Sequence, residues 1–184
     1  MHHGHLILGE EAREQFGLER VLFVPAGQPW RKTGRRISPA EDRLAMLRLA
    51  VEDNAALDVD DAELTRAGPS YTSDTLAALN DRYPGTELFF ILGEDALADL
   101  PNWHDPGRIL RLAALVVAAR PGHALDPGER LPSDIADRVV RLSMPLIEIS
   151  GSDIRGRIAA GRSVRYRVPS AVEEYIRKRG LYRD

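Results

Sequence analysis

The 184-residue chain contains no cysteine. A disulfide framework, a cysteine-ligated zinc or iron–sulfur site and a thiol nucleophile are therefore excluded. The sequence also lacks an apolar run long enough to span a bilayer. Its first residues, Met-His-His-Gly-His, carry no basic segment of the kind that opens a signal peptide. We expect a cytoplasmic protein with no membrane partner.

No strong excess of charge is present either, since 25 basic and 28 acidic residues give a net charge of −3. Residues 37–100 hold fourteen acidic and four basic residues, whereas residues 150–184 hold nine basic and four acidic ones. A nucleic-acid partner is not expected, because it requires a continuous basic face. The basic C-terminal block suits a few phosphate groups, although a solvated helix face would have the same composition.

The hydrophobic content of 43% is that of a globular protein. A typical domain has roughly 150 residues. The length therefore predicts a single domain over residues 1–184, with a C-terminal helical segment at residues 150–184. The oligomeric state, including a homo-oligomer, is left open.

Short apolar runs alternate with stretches of helical periodicity, and this predicts an α/β protein. The runs typical of strands are residues 21–24, 57–60, 88–92, 115–117, 139–142 and 146–149, and only 57–60 alternates like a half-exposed strand. Runs buried on both faces indicate a Rossmann-like, doubly wound and mainly parallel sheet with helices on both faces. Ligands of such sheets bind beyond the carboxyl ends of the strands.

Several helices carry recognisable end signals. Residues 38–41 are typical of a capping box, which predicts Ser38 as the cap and Pro39 as the first helical residue. The apolar face of that helix would hold Leu44, Leu47 and Val51. Other helices are predicted from the apolar stripe at residues 8–16, at residues 72–82, and twice after residue 150. Gly17 is predicted to end the first of these helices, and Gly161 and Gly180 are predicted to end the last two.

His2, Gly4 and His5 form a His-x-Gly-His motif at the start of the first predicted helix. Two imidazoles one turn apart, together with the free N–H groups of a helix start, can bind a phosphoryl group, and Gly4 lets a ligand approach the backbone. A zinc site is the weaker interpretation, because no carboxylate stands at ligand spacing. A tag remnant would normally be a longer uninterrupted run of histidines.

A second phosphate-binding candidate follows the run at 146–149. Ile149 is followed by Ser150, Gly151 and Ser152, and Arg155 lies on the first turn of the next predicted helix. Hydroxyls, a glycine and helix-start amides form a typical anion nest. An ordinary N-cap serine with a solvent-facing arginine explains the same residues equally well when the motif is read in isolation.

The remaining candidates follow strand ends or precede helices; they are Lys32, Tyr71, Thr72, Gly93, Asp95, Trp103, His104 and Arg120. Lys32 could neutralise a substrate phosphate, Trp103 could stack on a planar heterocycle, and amides near Thr72 could hold a carboxylate. Each also has an ordinary explanation: a solvated basic loop for Lys32, a core edge for Trp103, and helix caps for Thr72 and Asp95.

The sequence shows no Ser-His-Asp arrangement, no paired catalytic carboxylates, and neither a Walker-type nor a Gly-x-Gly-x-x-Gly loop. A covalent intermediate on the protein is therefore not indicated. The residues point instead to the handling of phosphates and nucleotides.

These motifs, taken in their order along the chain, resemble the nucleotidyltransferase superfamily. Within it they are similar to the bacterial nicotinate-nucleotide adenylyltransferases, over essentially the whole chain. The segments that carry the resemblance are His-x-Gly-His at 2–5, residues 24–32, Pro-Ser-Tyr-Thr at 69–72, residues 93–97, Asn-Trp-His at 102–104, Arg-Pro-Gly at 120–122, residues 149–155 and Val-Pro at 168–169.

The resemblance implies a single nucleotidyltransferase domain that joins ATP and nicotinate mononucleotide into deamido-NAD and pyrophosphate by direct in-line transfer. It implies that His2, His5 and Arg155 are catalytic, with Mg²⁺ held mainly by the ATP phosphates and no metal ligand from the protein. The implied ATP-binding residues are Gly4, Gly93, Asp95, Arg120, Ile149, Ser150 and Ser152. The implied nicotinate mononucleotide-binding residues are Lys32, Tyr71, Thr72, Trp103 and His104.

The sequence departs from the family pattern in two places. Gly151 stands where the family usually has a small hydroxyl residue. Members also have a short central strand and a Gly-Gly-Thr-Phe-Asp-Pro-type loop before His-x-Gly-His, whereas here Met1 directly precedes His2. We expect that this first strand is missing and that the natural protein starts upstream.

Two other functions remain open. One is a sibling transferase that uses nicotinamide mononucleotide, phosphopantetheine or a cytidylyl donor. The other is an inactive, N-terminally truncated remnant that only binds nucleotides.

Overall fold

The computed structural model describes residues 1–28, 38–119 and 133–183. In chain order its elements are α1 (His3–Phe16), β1 (Val21–Phe23), α2 (Ala40–Val51), β2 (Leu57–Val59), α3 (Ala62–Thr65), α4 (Thr72–Arg82), β3 (Phe89–Gly93), α5 (Glu94–Asp99), a 3₁₀ turn (Leu100–Asn102), α6 (Pro106–Leu112), β4 (Ala114–Ala119), α7 (Ser133–Ala136), β5 (Val139–Ser143), α8 (Gly151–Ala159) and α9 (Ser170–Arg179). The predicted alternation of strands and helices is confirmed, as is the helix predicted over residues 72–82.

The chain forms two compact units. The first comprises Met1–Gly68 and Ile147–Asp184, and the second comprises Pro69–Leu146. In the first unit β1 pairs with β2 in parallel, with Val21 opposite Leu57. In the second unit β3, β4 and β5 form a parallel sheet in that order. Parallel pairing is confirmed throughout, and every pair of neighbouring strands is joined by a crossover that contains a helix, as parallel pairing requires.

Each unit has its own hydrophobic core. In the first unit α2, α8 and α9 contribute Met46, Ile154 and Val172, which are at most 5% exposed. In the second unit the buried strand β4 packs Leu115 against α5 and α6. These cores fix the starts of α1, α4 and α8, which carry the predicted binding residues.

The prediction for the start of α2 is wrong. The residue before the helix is Pro39, and no side chain caps it. The hydroxyl of Ser38 instead lies 2.8 Å from that of Tyr182, to which it donates a hydrogen bond. The buried face is predicted correctly at Val51, which is buried, but it also contains Met46 and Ala50, whereas Leu44 and Leu47 are only half-buried.

The strand predicted at residues 146–149 is not present. These residues form no regular element, and in the described part of the chain no strand pairs with them. Leu146 is 57% exposed, and the boundary between the two units falls directly after it. An apolar alternation without a neighbouring strand cannot form the backbone ladder that a strand requires.

The described helices include none that is both long and apolar enough to cross a membrane.

Candidate functional site

The two histidines of the His-x-Gly-His motif form a stacked pair at the start of α1. Their ring centroids are 3.7 Å apart, with 30° between the planes. His2 precedes the helix in an extended conformation, and its carbonyl accepts a hydrogen bond from the His5 amide at 2.9 Å. His2 is only 7% exposed, whereas His5 lies at the surface. The pair therefore presents one buried and one accessible imidazole at a helix start.

Burial decides the protonation state of His2. It lowers the pKa of His2 to about 4, and the charges of the chain amino group and His3 act in the same direction. The imidazole is therefore neutral at pH 7. Its Nδ1 atom is buried and has no hydrogen-bond partner among the described residues.

Gly4 lies directly against the His2 ring. A Cβ placed on Gly4 would lie 3.1 Å from His2 Nδ1 and 3.3 Å from Cε1, closer than most side chains tolerate. The glycine of the motif thus gives the imidazole its place against the helix backbone, in addition to the ligand access that the sequence suggests.

The serine turn, Ser150 to Ser152, begins α8 as predicted. Ser150 caps the helix, its hydroxyl accepting a hydrogen bond from the Asp153 amide at 3.1 Å. The hydroxyls of Ser150 and Ser152 lie 3.1 Å apart, and both residues are exposed. Two hydroxyls and a helix start are thereby presented together to solvent, as an anion site requires.

Arg155 and the start of α1 lie within the same electrostatic environment. Burial lowers the pKa of the Met1 amino group, and the charge of Arg155 lowers it further. Met1, Leu6 and Ile149 pack against the same hydrophobic core, to which α8 contributes Ile154. The structure therefore brings the histidine pair, the serine turn and Arg155 into one unit.

The second unit holds a separate aromatic cluster at the start of α4. The rings of Tyr71 and His104 stack with 4.1 Å between centroids and 17° between planes. The hydroxyl of the fully buried Ser73 lies 3.3 Å from His104 Nδ1. Thr72 begins α4, and no side chain caps this helix. Its first turn therefore has N–H groups that no side chain caps, which is the kind of helix start that can bind an anion.

Trp103 is held against the core of the second unit. Its indole packs edge-on against Phe90, with 6.1 Å between centroids, and its Nε1–H donates to Asp99 at 3.2 Å. The side chain is half-buried, so part of the ring system remains exposed. This packing fits the role at a core edge and leaves one part of the indole for a ligand.

Gly93 ends β3 and precedes α5, as the sequence predicts. A Cβ placed on it would meet nothing within 4 Å, so packing does not require glycine there. Asp95 is exposed in the first turn of α5. One carboxylate oxygen of Glu94 is buried and has no hydrogen-bond partner in the described part of the chain. Open space thus lies beside the carboxyl end of a parallel strand.

Two predicted residues, Lys32 and Arg120, lie outside the described residues. Within residues 1–28, 38–119 and 133–183 no group of three or more histidines and carboxylates could hold a metal ion.

Three residues close to the predicted ones along the chain or in the fold are not among the site residues that the sequence predicts. Ser73 touches His104, Asp153 lies in the first turn of α8, and Arg167 pairs with Asp153 at 3.0 Å. A capping-box spacing between Ser150 and Asp153 is visible in the sequence. Nothing in the sequence pattern signals the other two contacts, because both join distant segments.

Comparison with known proteins identifies the family. The cytidylyltransferase-like family matches residues 1–157. A relative from Thermomicrobium roseum, named a probable nicotinate-nucleotide adenylyltransferase, is 50% identical over 100% of this chain and 86% of its own length. Relatives with the same name from Roseiflexus and Saccharopolyspora erythraea are 47% and 46% identical; each covers 100% of this chain, and 92% and 84% of their own lengths, respectively.

Solved structures agree with this fold. The nicotinic acid mononucleotide adenylyltransferase of Plasmodium falciparum, complexed with NaAD, has a TM-score of 0.78 at 16% identity and covers 99% of this chain and 91% of its own. The complex of the same protein with APC has a TM-score of 0.77 at 15% identity, with the same coverage. The Rossmann-like fold class is confirmed. The chain belongs to the cytidylyltransferase-like superfamily and, within it, to the nicotinate-nucleotide adenylyltransferases.

Proposed function

We propose that this protein transfers the adenylyl group of ATP to nicotinate mononucleotide, forming deamido-NAD and pyrophosphate. A phosphate oxygen of the mononucleotide attacks the α-phosphorus of ATP. One P–O bond forms while the bond to the departing pyrophosphate breaks, and the electron pair leaves with pyrophosphate. The protein forms no covalent bond in this step, so its contribution is positioning and charge stabilisation.

The observation that carries the proposal is the stacked pair of His2 and His5 at the start of α1. A neutral His2 carries one ring N–H, which it can donate to a phosphoryl oxygen. His5 lies at the surface beside it, where it can contact the same phosphate group. Gly4 holds the space that the His2 ring occupies. We assign both imidazoles to the charge that develops during transfer.

The triphosphate is assigned to α8. The hydroxyls of Ser150 and Ser152, the amides of the helix start and the guanidinium of Arg155 offer donors of the type that phosphates bind. Ile149 positions the turn by packing against the core. Gly93 and Asp95, beside the open end of β3, are assigned to the nucleotide, as is Arg120.

Nicotinate mononucleotide is assigned to the start of α4. Its carboxylate would accept hydrogen bonds from amides near Thr72 and His104, and the exposed part of Trp103 would stack on the pyridine ring. Tyr71 supports His104 through the stacked contact. Lys32 is assigned to the phosphate of the mononucleotide. A carboxylate acceptor at a helix start favours the acid over the amide.

Magnesium is proposed to arrive with ATP as part of the substrate. The described residues offer no carboxylate cluster, whereas phosphate oxygens are ligands that Mg²⁺ prefers. A cytoplasmic location is proposed, since both substrates are phosphorylated small molecules of the cell interior.

The test is a turnover assay of the purified chain with MgATP and either nicotinate mononucleotide or nicotinamide mononucleotide. Pyrophosphate release and chromatography of the dinucleotide measure the reaction. We expect nicotinate mononucleotide to react at least about tenfold faster than nicotinamide mononucleotide. Backbone donors placed for two carboxylate oxygens are left without a partner when an amide replaces the carboxylate. Equal rates would contradict the acid preference, and ATP binding without pyrophosphate release would support the inactive-remnant alternative.

Substitution of His5 provides the matched variant. His5→Ala should lower kcat by about 100-fold, which is the typical effect of removing one donor from a developing charge. Gln15→Ala, on the exposed face of the same helix, is the control and should retain full activity. A His5→Ala enzyme as fast as the control would remove the histidine pair from the mechanism.

A further inference from the structure

The turn between α8 and α9 is held rigidly in the core of the first unit. Val164 and Val168 are 5% and 2% exposed, and the Arg167 amide donates to the Val164 carbonyl at 2.9 Å. Tyr166, between them, adopts the left-handed region with φ of 64°. The backbone at Arg167 is therefore fixed from both sides.

From this fixed position Arg167 contacts both helix starts that we assign to phosphate binding. Its carbonyl accepts a hydrogen bond from the His3 amide, in the first turn of α1, at 3.0 Å. Its guanidinium donates to the Asp153 carboxylate, in the first turn of α8, at 3.0 Å. One residue thus joins the first turn of α1 to the first turn of α8.

The Arg167–Asp153 pair is partly exposed and contributes little to stability; its importance lies in the charge that Asp153 would present to a bound anion. A carboxylate in the first turn is favourable for an empty helix, because it interacts with the positive end of the helix dipole. A bound triphosphate would occupy the same positive end, and an uncompensated carboxylate there would repel it. The Arg167 guanidinium offsets that charge at the place where phosphate is expected.

We propose that Arg167 is a positioning residue for ATP: it neutralises Asp153 so that the first turn of α8 accepts the triphosphate, while its carbonyl fixes the start of α1. The inference rests on the proposed function, since it takes α8 as the triphosphate site. It does not require that Arg167 touch the substrate. Its signature is a defect in ATP binding that disappears when Asp153 also loses its charge.

The test compares Arg167→Gln, Asp153→Asn and the double variant in the full chain. The Kd of MgATP is measured by calorimetry, and the KM values of both substrates are measured by steady-state kinetics. Arg167→Gln should weaken ATP binding about tenfold while the KM for nicotinate mononucleotide stays within about twofold. The double variant should return to within about twofold of the wild-type Kd, because no charge then remains uncompensated.

Two further variants distinguish charge compensation of Asp153 from a structural effect of the Arg167 side chain and from the loss of any positive charge in this turn. Arg165→Gln removes the same charge from the same turn, where the guanidinium lies 5.7 Å from the Tyr166 ring, and should leave the Kd of MgATP within about twofold. Arg167→Lys keeps the charge and should recover most of the affinity. The carbonyl contact with His3 survives every substitution, and thermal unfolding checks that each variant folds.

An unchanged Kd in Arg167→Gln would overturn the inference, as would a defect that Asp153→Asn fails to relieve. Both results leave the proposed function intact provided that wild-type protein turns over its substrates. Absence of turnover in the wild type contradicts the proposed function instead, while the calorimetric comparison still decides whether Arg167 compensates Asp153.

Discussion

The imidazole of His104 lies flat on the phenol ring of Tyr71, with 4.1 Å between centroids and 17° between planes. The buried hydroxyl of Ser73 lies 3.3 Å from Nδ1 of the same imidazole. Stacking fixes the plane of the ring, and the hydrogen bond fixes its rotation within that plane. An exposed side chain is thereby held in one orientation, which also orders the backbone that we assign to the nicotinate carboxylate.

Ser73→Ala removes this hydrogen bond with little change in buried volume. A typical hydrogen bond contributes about 1 kcal/mol, which corresponds to about fivefold in an equilibrium constant. We expect the KM for nicotinate mononucleotide to rise by about that factor, with kcat changed by less than about twofold. Asn80→Ala, on the exposed face of α4, is the control, and an equal effect in both variants would assign the change to the helix as a whole.

The lowered pKa of His2, about 4 in the folded protein, makes stability depend on pH. The pKa in the unfolded chain is close to 6.5, so between these values the unfolded state binds a proton that the native state does not. The contribution of the buried, neutral His2 to the free energy of unfolding is therefore fully present above pH 6.5. It is lost as the pH falls towards 4. Its full size is at most about 3 kcal/mol.

Urea unfolding at several pH values between about 4.5 and about 7.5 measures how the free energy of unfolding depends on pH. The free energy of unfolding of wild-type protein should fall more steeply with decreasing pH than that of His2→Gln, which cannot bind the proton. His104→Gln serves as the control for loss of an exposed imidazole. Parallel pH curves for wild type and His2→Gln would show that burial of His2 does not control stability.

Asp42 joins α2 to α9. It is 2% exposed, and its carboxylate accepts hydrogen bonds from the Tyr175 hydroxyl at 2.8 Å and from Arg179 at 3.1 Å. The hydrogen bond to Asp42, followed by burial, raises the pKa of the Tyr175 hydroxyl. Tyr175→Phe removes one of the hydrogen bonds that the buried Asp42 carboxylate accepts. Because a buried charge with fewer hydrogen bonds is destabilising, the variant should lose about 1–2 kcal/mol in the free energy of unfolding.

The comparison for Tyr175→Phe is Glu174→Gln on the same helix. Glu174 pairs with Lys178 at 2.8 Å on an exposed face, where solvent screening leaves an ion pair little effect on stability. Urea denaturation distinguishes the two variants. Losses of similar size would mean that the Asp42 network is no more important for stability than an ordinary surface ion pair.

The sequence predicted the elements best where local signals and packing agree. Gly17, Gly161 and Gly180 end their helices with φ between 61° and 66°, and Thr72–Arg82 begins and ends as the periodicity indicates. The prediction at Ser38 is wrong because its hydroxyl donates a hydrogen bond to Tyr182, 144 residues away, instead of capping the helix. Local propensity cannot include such a partner.

The same limit applies to the candidate site. The placement of His2 and His5 at a helix start, and of Ser150 as a helix cap, follows from motif spacing and is confirmed as structure. Their catalytic and binding roles remain predictions. The contacts of Ser73 and Arg167 depend on segments brought together by the fold, so no local pattern could have indicated them.

Gly4 supplies the sharpest test of the histidine pair, because a single methyl group would fall against the buried ring. A Cβ on Gly4 would lie 3.1 Å from His2 Nδ1 and 3.5 Å from Ile147 Cγ2, so the imidazole must shift by a few tenths of an ångström. Alanine also favours a helix over glycine by about 1 kcal/mol. The close contact lowers stability and the helix propensity raises it, whereas only the close contact affects catalysis.

The free energy of unfolding of Gly4→Ala should therefore lie within about 1 kcal/mol of the wild-type value. Its kcat should fall about tenfold, which is equivalent to about 1.4 kcal/mol of lost transition-state stabilisation.

Gly156→Ala is the matched control for Gly4→Ala, since Gly156 lies inside α8 and a Cβ there meets nothing within 4 Å. It should gain about 0.5–1 kcal/mol in the free energy of unfolding and keep its turnover rate. Chemical denaturation and pyrophosphate release, measured on both variants, separate helix propensity from displacement of His2. A Gly4→Ala enzyme with wild-type kcat would show that the reaction tolerates a displaced imidazole, and the close packing of His2 against Gly4 would then matter only for the fold.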